Sequence, residues 1–351
     1  MQTFHITPLS KSFREKVRQR LDNLAKPKGS LGRLEEIALQ ICLIKESIYP
    51  HIQHPHHLLF AADHGIVEEG VSKTPKCVTW QQTLNFHKHG TAIAYLCKQH
   101  HIELSVIDAG VDYDFPAQAG VIDCKIRKGT HNYLHQAAMT QEEFWLAIAR
   151  GAEQVDRVYA EGCDLISFGE MGVANTSASA IWGHLFTEEP LAKCVGAGSG
   201  LDEEGIQHKL QILQQALNNY DGGRDPIKLM SYFGGFEMVM TVGAMLRAAE
   251  LRLPILIDGF IMTACILAAS QLHPSVLEYA IYGHLGDESG HALLLQHLGA
   301  KPILNLGMKL GEGTGAICAY PIVQSATLMM TEMHTWQGID QESKNVIKKY
   351  F

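Results

Sequence analysis

The stretch HLLFAADHG, residues 57–65, decides the fold class. It is a short apolar run without polar alternation, so it asks to be buried on both faces, and it stops at an acid and a glycine where a chain can turn. The pattern recurs at residues 103–107 before Asp108-Ala109-Gly110, 164–168 before Gly169-Glu170, 254–257 before Asp258-Gly259, 279–282 before Gly283-His284, and 302–306 before Gly307. Helical patterns lie between these runs. Residues 203–218 follow Asp202, a side chain suited to an N-cap, and residues 236–251 carry Glu237 early and Arg247 late, as the helix dipole favours. This alternation predicts a largely parallel, Rossmann-like α/β sheet with helices on both faces. Ligands of such sheets sit outside the carboxyl ends of the strands, so the Gly, Asp, Glu and His turns fall on the ligand edge.

The two ends read differently. Residues 10–23 and 31–47 have amphipathic helical spacing, separated by Lys26-Pro27-Lys28-Gly29-Ser30, and residues 322–333 form an apolar helix. They predict a small helical domain built from residues 1–50 and 322–351 beside an α/β catalytic domain of residues 51–321.

Composition narrows the function. With 46% apolar and 19% charged residues, the chain of 351 residues supports a sizeable core. A net charge of -8 argues against non-specific nucleic-acid binding, which needs a basic surface, but leaves room for one small anion held by local donors. The eight cysteines are scattered without a CxxC pair, so reduced thiols are expected and neither a disulfide framework nor a zinc site. The histidines of HIQHPHH, residues 51–57, lack the spacing that puts metal ligands on one element, and no metal or cofactor is expected. The start, MQTFHITPLSKSFREKV, has no apolar signal region and no run of about 18 apolar residues occurs, so a cytoplasmic protein without membrane contact is expected.

Four glycine-rich segments carry the chemistry: GEMGVANT (169–176), VGAGSGLDEEG (195–205), GHLGDESGH (283–291) and LGMKLGEGTG (306–315). Glycine at strand ends lets backbone approach a ligand and turn its N–H groups toward an anion. Two of the segments hold a glycine-flanked acid, Glu170 and Glu312. In an apolar cleft such a carboxyl rises in pKa and becomes a competent base; otherwise it caps the helix that follows.

Taken in order, KGSLGRLE (28–35), ADHG (62–65) with EGVS (69–72), GEMG (169–172) with Asn175-Thr176, GGFE (234–237), DGF (258–260) and LGMKLGEG (306–313) resemble the nicotinate-nucleotide–dimethylbenzimidazole phosphoribosyltransferase family. That family makes α-ribazole phosphate for the lower ligand of cobamides. The resemblance, which runs from about residue 20 to 330, implies a parallel-sheet α/β domain with a helical domain from both termini, in a homodimer. It implies nicotinate mononucleotide and a benzimidazole as substrates, and Glu312 as the general base, with inversion at C1′. Glu170 is a possible secondary acid or base. Gly172, Asn175, Thr176, Lys209 and Gly286 would hold ribose and phosphate, although as a sequence position alone Lys209 reads more readily as an exposed helix lysine. Ser72 and Gln81, with Gln82 beside it, would line the base pocket together with Met308 and Leu310.

Two positions depart from the family pattern. Gly286 stands where a serine is common and Ala197 where an arginine is common, so two phosphate donors are absent. Two other readings compete. A nicotinamide-dependent oxidoreductase would need GxGxxG after the first strand, where this chain has Ala-Asp-His-Gly. A non-catalytic nucleotide-binding protein would be expected to lose Glu312, which is present.

Overall fold

In the computed structural model, which describes residues 3–88 and 90–336, the run around Leu58 becomes a strand buried at every position. This strand, β1 (Pro55–Ala62), is followed by β2 (Glu103–Gly110), β3 (Ile122–Asp123), β4 (Leu165–Met171), β5 (Ile255–Ile257) and β6 (Ala280–Tyr282). They form a parallel sheet in the order β3-β2-β1-β4-β5-β6. The order reverses between β1 and β4, which leaves a crevice at the carboxyl ends of those two strands. The longer strands β1, β2 and β4 have apolar residues on both faces, whereas β3 at the edge is only Ile122 and the exposed Asp123.

The run at 302–306 behaves differently from expectation. Only β8 (Leu304–Asn305) is extended, and it pairs in parallel with β7 (His284–Leu285) in a separate two-stranded sheet. Its neighbour Leu306 is 62% exposed, so this run has no second face to bury in the main sheet. The small ladder still matters, because it lays the GHLGDESGH and LGMKLGEGTG segments side by side.

The helices are α1 (Lys11–Asn23), α2 (Arg33–Lys45), α3 (Val78–Phe86), α4 (Ala92–Gln99), α5 (Gln141–Ala160), α6 (Asn175–Thr187), α7 (Leu191–Cys194), α8 (Glu203–Asn218), α9 (Pro226–Phe233), α10 (Phe236–Glu250), α11 (Phe260–Leu272), α12 (His291–His297) and α13 (Thr314–Glu332). Their starts follow local chemistry. The Ser10 hydroxyl accepts from Phe13 N–H, Thr140 and Glu143 form a reciprocal capping box, and Asp202 accepts from Gly205 N–H. Helices α5 and α10 cross so closely that a Cβ on Gly151 or Gly243 would overlap the partner's backbone.

The apolar helix expected from residue 322 is the later half of α13, which begins beside the ligand edge and packs on α2, α4, β4 and β5. The division expected at 321/322 falls inside this helix, and residues 337–351 lie outside the described residues. One apolar core joins Val17 and Leu21 of α1, the sheet, and Met330 of α13. Among the described residues no helix is long and apolar enough to cross a membrane.

Candidate active site

A cleft of about 400 Å³ opens at the carboxyl ends of β4, β5 and β6. Glu170, Gly172, Asn175, Thr176, Ser72, Gly286, Met308, Leu310 and Glu312 all line it, so residues from separate segments converge there, while Lys209 and Gln81 do not line it.

Glu312 sits in a turn of three consecutive left-handed residues, with φ of 83° at Gly311, 63° at Glu312 and 91° at Gly313. Only the middle residue carries a Cβ, and a non-glycine in this region costs about 1–2 kcal/mol, which the surrounding contacts must offset. The carboxyl does not cap the helix that follows it. Asp258 does so instead, accepting from Gly313 N–H at 3.2 Å and Ala316 N–H at 2.9 Å. The Glu312 side chain is 5% exposed; Gln82 Nε2 donates to its Oε1 at 2.8 Å, and its Oε2 is buried without a protein partner. Burial raises the pKa, opposed by the Gln82 hydrogen bond and helped by the Asp258 charge. A carboxylate with one oxygen held and the other free, in an apolar setting, is equipped to take a proton.

Glu170, at the end of β4, is fully enclosed. It does not cap α6 either: it accepts from the Asn175 side chain and, at 3.4 Å, from the Glu312 backbone N–H. A Cβ on Gly311 would run into its carboxylate, which is why glycine precedes Glu312. Burial, against the Asn175 hydrogen bond, pushes its pKa up to about 8, so at neutral pH it is a neutral acid that adds no repulsion to an ionised Glu312. The folded state therefore keeps a proton that the unfolded chain releases near the ordinary 4.5. Stability from this group is complete below the unfolded pKa and is lost as pH rises through the folded one. The melting temperature of the wild type should fall more steeply between about pH 5 and about pH 9 than that of Glu170→Gln, whose side chain does not titrate. Parallel melting curves across that range would remove Glu170 from this account.

Lys209 is not an exposed helix lysine. It is 1% exposed, although it lies on α8, and its Nζ donates to Thr176 Oγ1 at 2.8 Å and to the Gly196 carbonyl at 3.4 Å. Burial lowers its pKa to about 8, against the attraction of Glu288. Around it, the leading residues of α6 carry no side-chain cap, and Ala174 before them is left-handed at φ 78°. Asn175 and Ser177 N–H already donate to the Gly172 and Ala174 carbonyls, so a buried ammonium and a threonine hydroxyl at the start of a helix are the groups here that suit an anion. Ala197 and Gly286 belong to the same end. Gly286 is not left-handed, but its N–H donates to His291 Nδ1 at 2.9 Å, and a Cβ there would lie 3.1 Å from that nitrogen. A serine at 286 would therefore need the His291 ring, the His284 ring and the Met308 carbonyl to give by a few tenths of an ångström.

Ser72 Oγ lies 3.1 Å from Ser199 Oγ, which ties the 70s loop to the GAGSG turn beside Thr176. Leu310 is 58% exposed at the rim, an apolar side chain left in water beside Met308. The glutamine that reaches the site is Gln82, while Gln81 is exposed and does not line the cleft. Adjacent helix positions differ by about 100°, so only one of the pair can face Glu312. Gln82→Met keeps the volume and removes the donor that favours ionised Glu312. The acidic limb of kcat/KM should move to higher pH, and a limb that stays in place would separate Gln82 from Glu312 ionisation.

Comparison with known proteins fits this geometry. A family model described as phosphoribosyltransferase matches residues 6–339. Over 351 residues, all of both chains, the protein is 57% identical to the nicotinate-nucleotide–dimethylbenzimidazole phosphoribosyltransferase of Bacteroides fragilis and 54% identical to that of Phocaeicola vulgatus. The chain belongs to this phosphoribosyltransferase family. The CobT crystal structure from Thermus thermophilus superposes with a TM-score of 0.90 at 36% identity, covering 94% of this chain and 99% of that one.

Several residues of this phosphoribosyltransferase site carry no assignment from sequence. Asp258 and His284, 3.5 Å apart, both line the cleft; burial would raise the Asp258 pKa, but His284 and the backbone N–H groups hold it below the ordinary range. Below the crevice, His64 Nε2 and Glu237 Oε1 form a fully buried contact of 2.6 Å under Gly172. That pair fills the turn after β1 where a dinucleotide-binding enzyme has glycines. The only sequence signal for either pair is membership of the ADHG, GGFE, DGF and GHLG segments.

Proposed function

We propose that this cleft transfers the phosphoribosyl group of nicotinate mononucleotide to 5,6-dimethylbenzimidazole or a related base, with Glu312 as general base. The observation that carries the reading is the buried carboxyl of the cleft-lining Glu312, one oxygen held by Gln82 and the other without a protein partner. The mononucleotide phosphate fits against Thr176 at the start of α6, with the Lys209 ammonium directly behind that hydroxyl, and its ribose along Gly172 and Asn175. The aromatic base fits between Ser72, Gln82 and Met308, with Leu310 covering it.

The bond changes balance without another reactant. Glu312 takes the ring N–H proton of the benzimidazole, and the other ring nitrogen attacks C1′. The C1′–N bond to the pyridinium breaks from the opposite face and its electron pair neutralises the nicotinate nitrogen, so no acid need protonate the leaving group. Back-side attack inverts the anomeric centre from β to α. Holding both reactants and keeping water out supplies the rest of the acceleration. The protein acts as a homodimer, which sedimentation equilibrium checks. It acts in the cytoplasm, because a phosphorylated mononucleotide does not cross a membrane unaided.

Incubation with nicotinate mononucleotide and a panel of benzimidazoles, purines and phenols, followed by mass spectrometry and proton NMR of the anomeric centre, tests the reading. An α-linked ribazole 5′-phosphate is expected with the benzimidazoles. Nicotinate release without base attachment, or a β-linked product, would overturn it.

A further inference from the structure

We propose that His57 is a positioning residue for the transfer: together with Ser167 it locks the left-handed Glu312 turn and so aims the carboxylate into the cleft. The inference rests on Glu312 acting as the base. His57 and Ser167 are register partners on β1 and β4, both fully buried, so their side chains leave the sheet on the same face. His57 Nδ1 lies 2.7 Å from Ser167 Oγ, and Nε2 lies 3.0 Å from the Glu312 carbonyl oxygen. A carbonyl only accepts, so Nε2 carries the proton and donates, while Nδ1 accepts from the serine hydroxyl. Burial keeps the ring neutral by pushing its pKa down to about 4, despite the Glu312 backbone contact, so this tautomer persists through the neutral range.

The surroundings are shaped to this contact. A Cβ on Gly313 would overlap the imidazole, and one on Gly169 would strike the Glu312 backbone and lie 2.6 Å from Nε2. Both glycines admit the ring between the sheet and the turn. His57 does not line the cleft; its hydrogen bond to the site is to the backbone of Glu312. A residue acting in that way should change the chemical step and leave mononucleotide binding alone.

Three variants and one double variant test this. His57→Phe fills the space without a donor, His57→Gln keeps a donor near the Nε2 position, and Ser167→Ala frees the ring from its orienting hydroxyl. His57→Phe should lower kcat by about 10–100-fold, the cost of misplacing a catalytic group by about an ångström, with KM for nicotinate mononucleotide within about twofold. His57→Gln should recover most of the loss, and Ser167→Ala should lose part of it. His57→Phe combined with Glu312→Gln should be no slower than Glu312→Gln alone, because both changes act on one group.

A His57→Phe enzyme with wild-type kcat, beside a slow Glu312→Gln, overturns the positioning role and leaves the base standing. Additive losses in the double variant overturn it too, by placing the action of His57 elsewhere. Wild-type turnover in Glu312→Gln removes the base and this inference with it. Should His57→Phe not fold, Ser167→Ala decides: reduced kcat at unchanged KM supports the role, and wild-type kcat overturns it.

Discussion

Replacing Glu312 by glutamine should lower kcat by about 10²–10⁴-fold, the range general-base catalysis supplies, while both KM values change little. The amide is nearly isosteric, and its oxygen can still accept the Gln82 hydrogen bond that fixes Oε1 in the wild type. What it loses is the capacity of the free Oε2 position to hold a proton. Two further consequences separate this from a general loss of fit. The acidic limb of the pH–rate profile, set in the wild type by a carboxyl that burial raises, should disappear. Acceptors with a more acidic ring N–H should lose less, because they depend less on a base. Steady-state kinetics over a series of substituted benzimidazoles reads all three. A variant with wild-type turnover would remove Glu312 from the mechanism.

Lys209→Met should raise KM for nicotinate mononucleotide by about 10–100-fold, since a hydrogen bond between charged groups contributes about 1.5–3 kcal/mol. Methionine is chosen because the lysine is buried, and a smaller side chain would leave a cavity beside Thr176 and Gly196. A phosphate held equally in ground and transition states is uniform binding, so kcat and the KM for the aromatic base should barely move. The pH dependence has a definite sign. Lys209 is charged below its pKa of about 8, so mononucleotide affinity should decline above that pH in the wild type and lose this dependence in the variant. Equal effects on both substrates would detach Lys209 from the phosphate.

The strands were legible where burial on both faces imposes an unbroken apolar run, as at β1, and hard to read where it does not. β3 is two residues, Ile122 and Asp123, with no run to detect, and the apolar residues at 302–306 resemble a core strand although Leu306 faces water. Glu170 and Glu312 could be found because an acid set among close glycines, as in GEMG and GEG, is a local signal. Their roles could not, because the choice between cap and base depends on Asp258 taking the cap of α13. Burial of Lys209 is set by Thr176 on another helix, 33 residues earlier, which leaves no trace in the pattern of α8. Gln82 and Gln81 are chemically identical neighbours, and only the packing of α3 against the cleft tells them apart.

The strand order has a consequence for how the molecule is made. No two neighbours in the main sheet are joined by a hairpin, and β1, at its middle, cannot gain its β4 partner until residues 165–171 have been synthesised. Pairings this distant in sequence slow folding and leave sticky edges exposed meanwhile. In chain order the segment proposed to meet ribose and phosphate, Gly172 through Lys209, precedes Gly286, and the turn bearing Glu312 comes after every strand of the sheet. The proposed base is thus among the last parts of the site to be made, and a chain stopped before residue 312 would also lack α13, whose Val323 and Met330 belong to the common core.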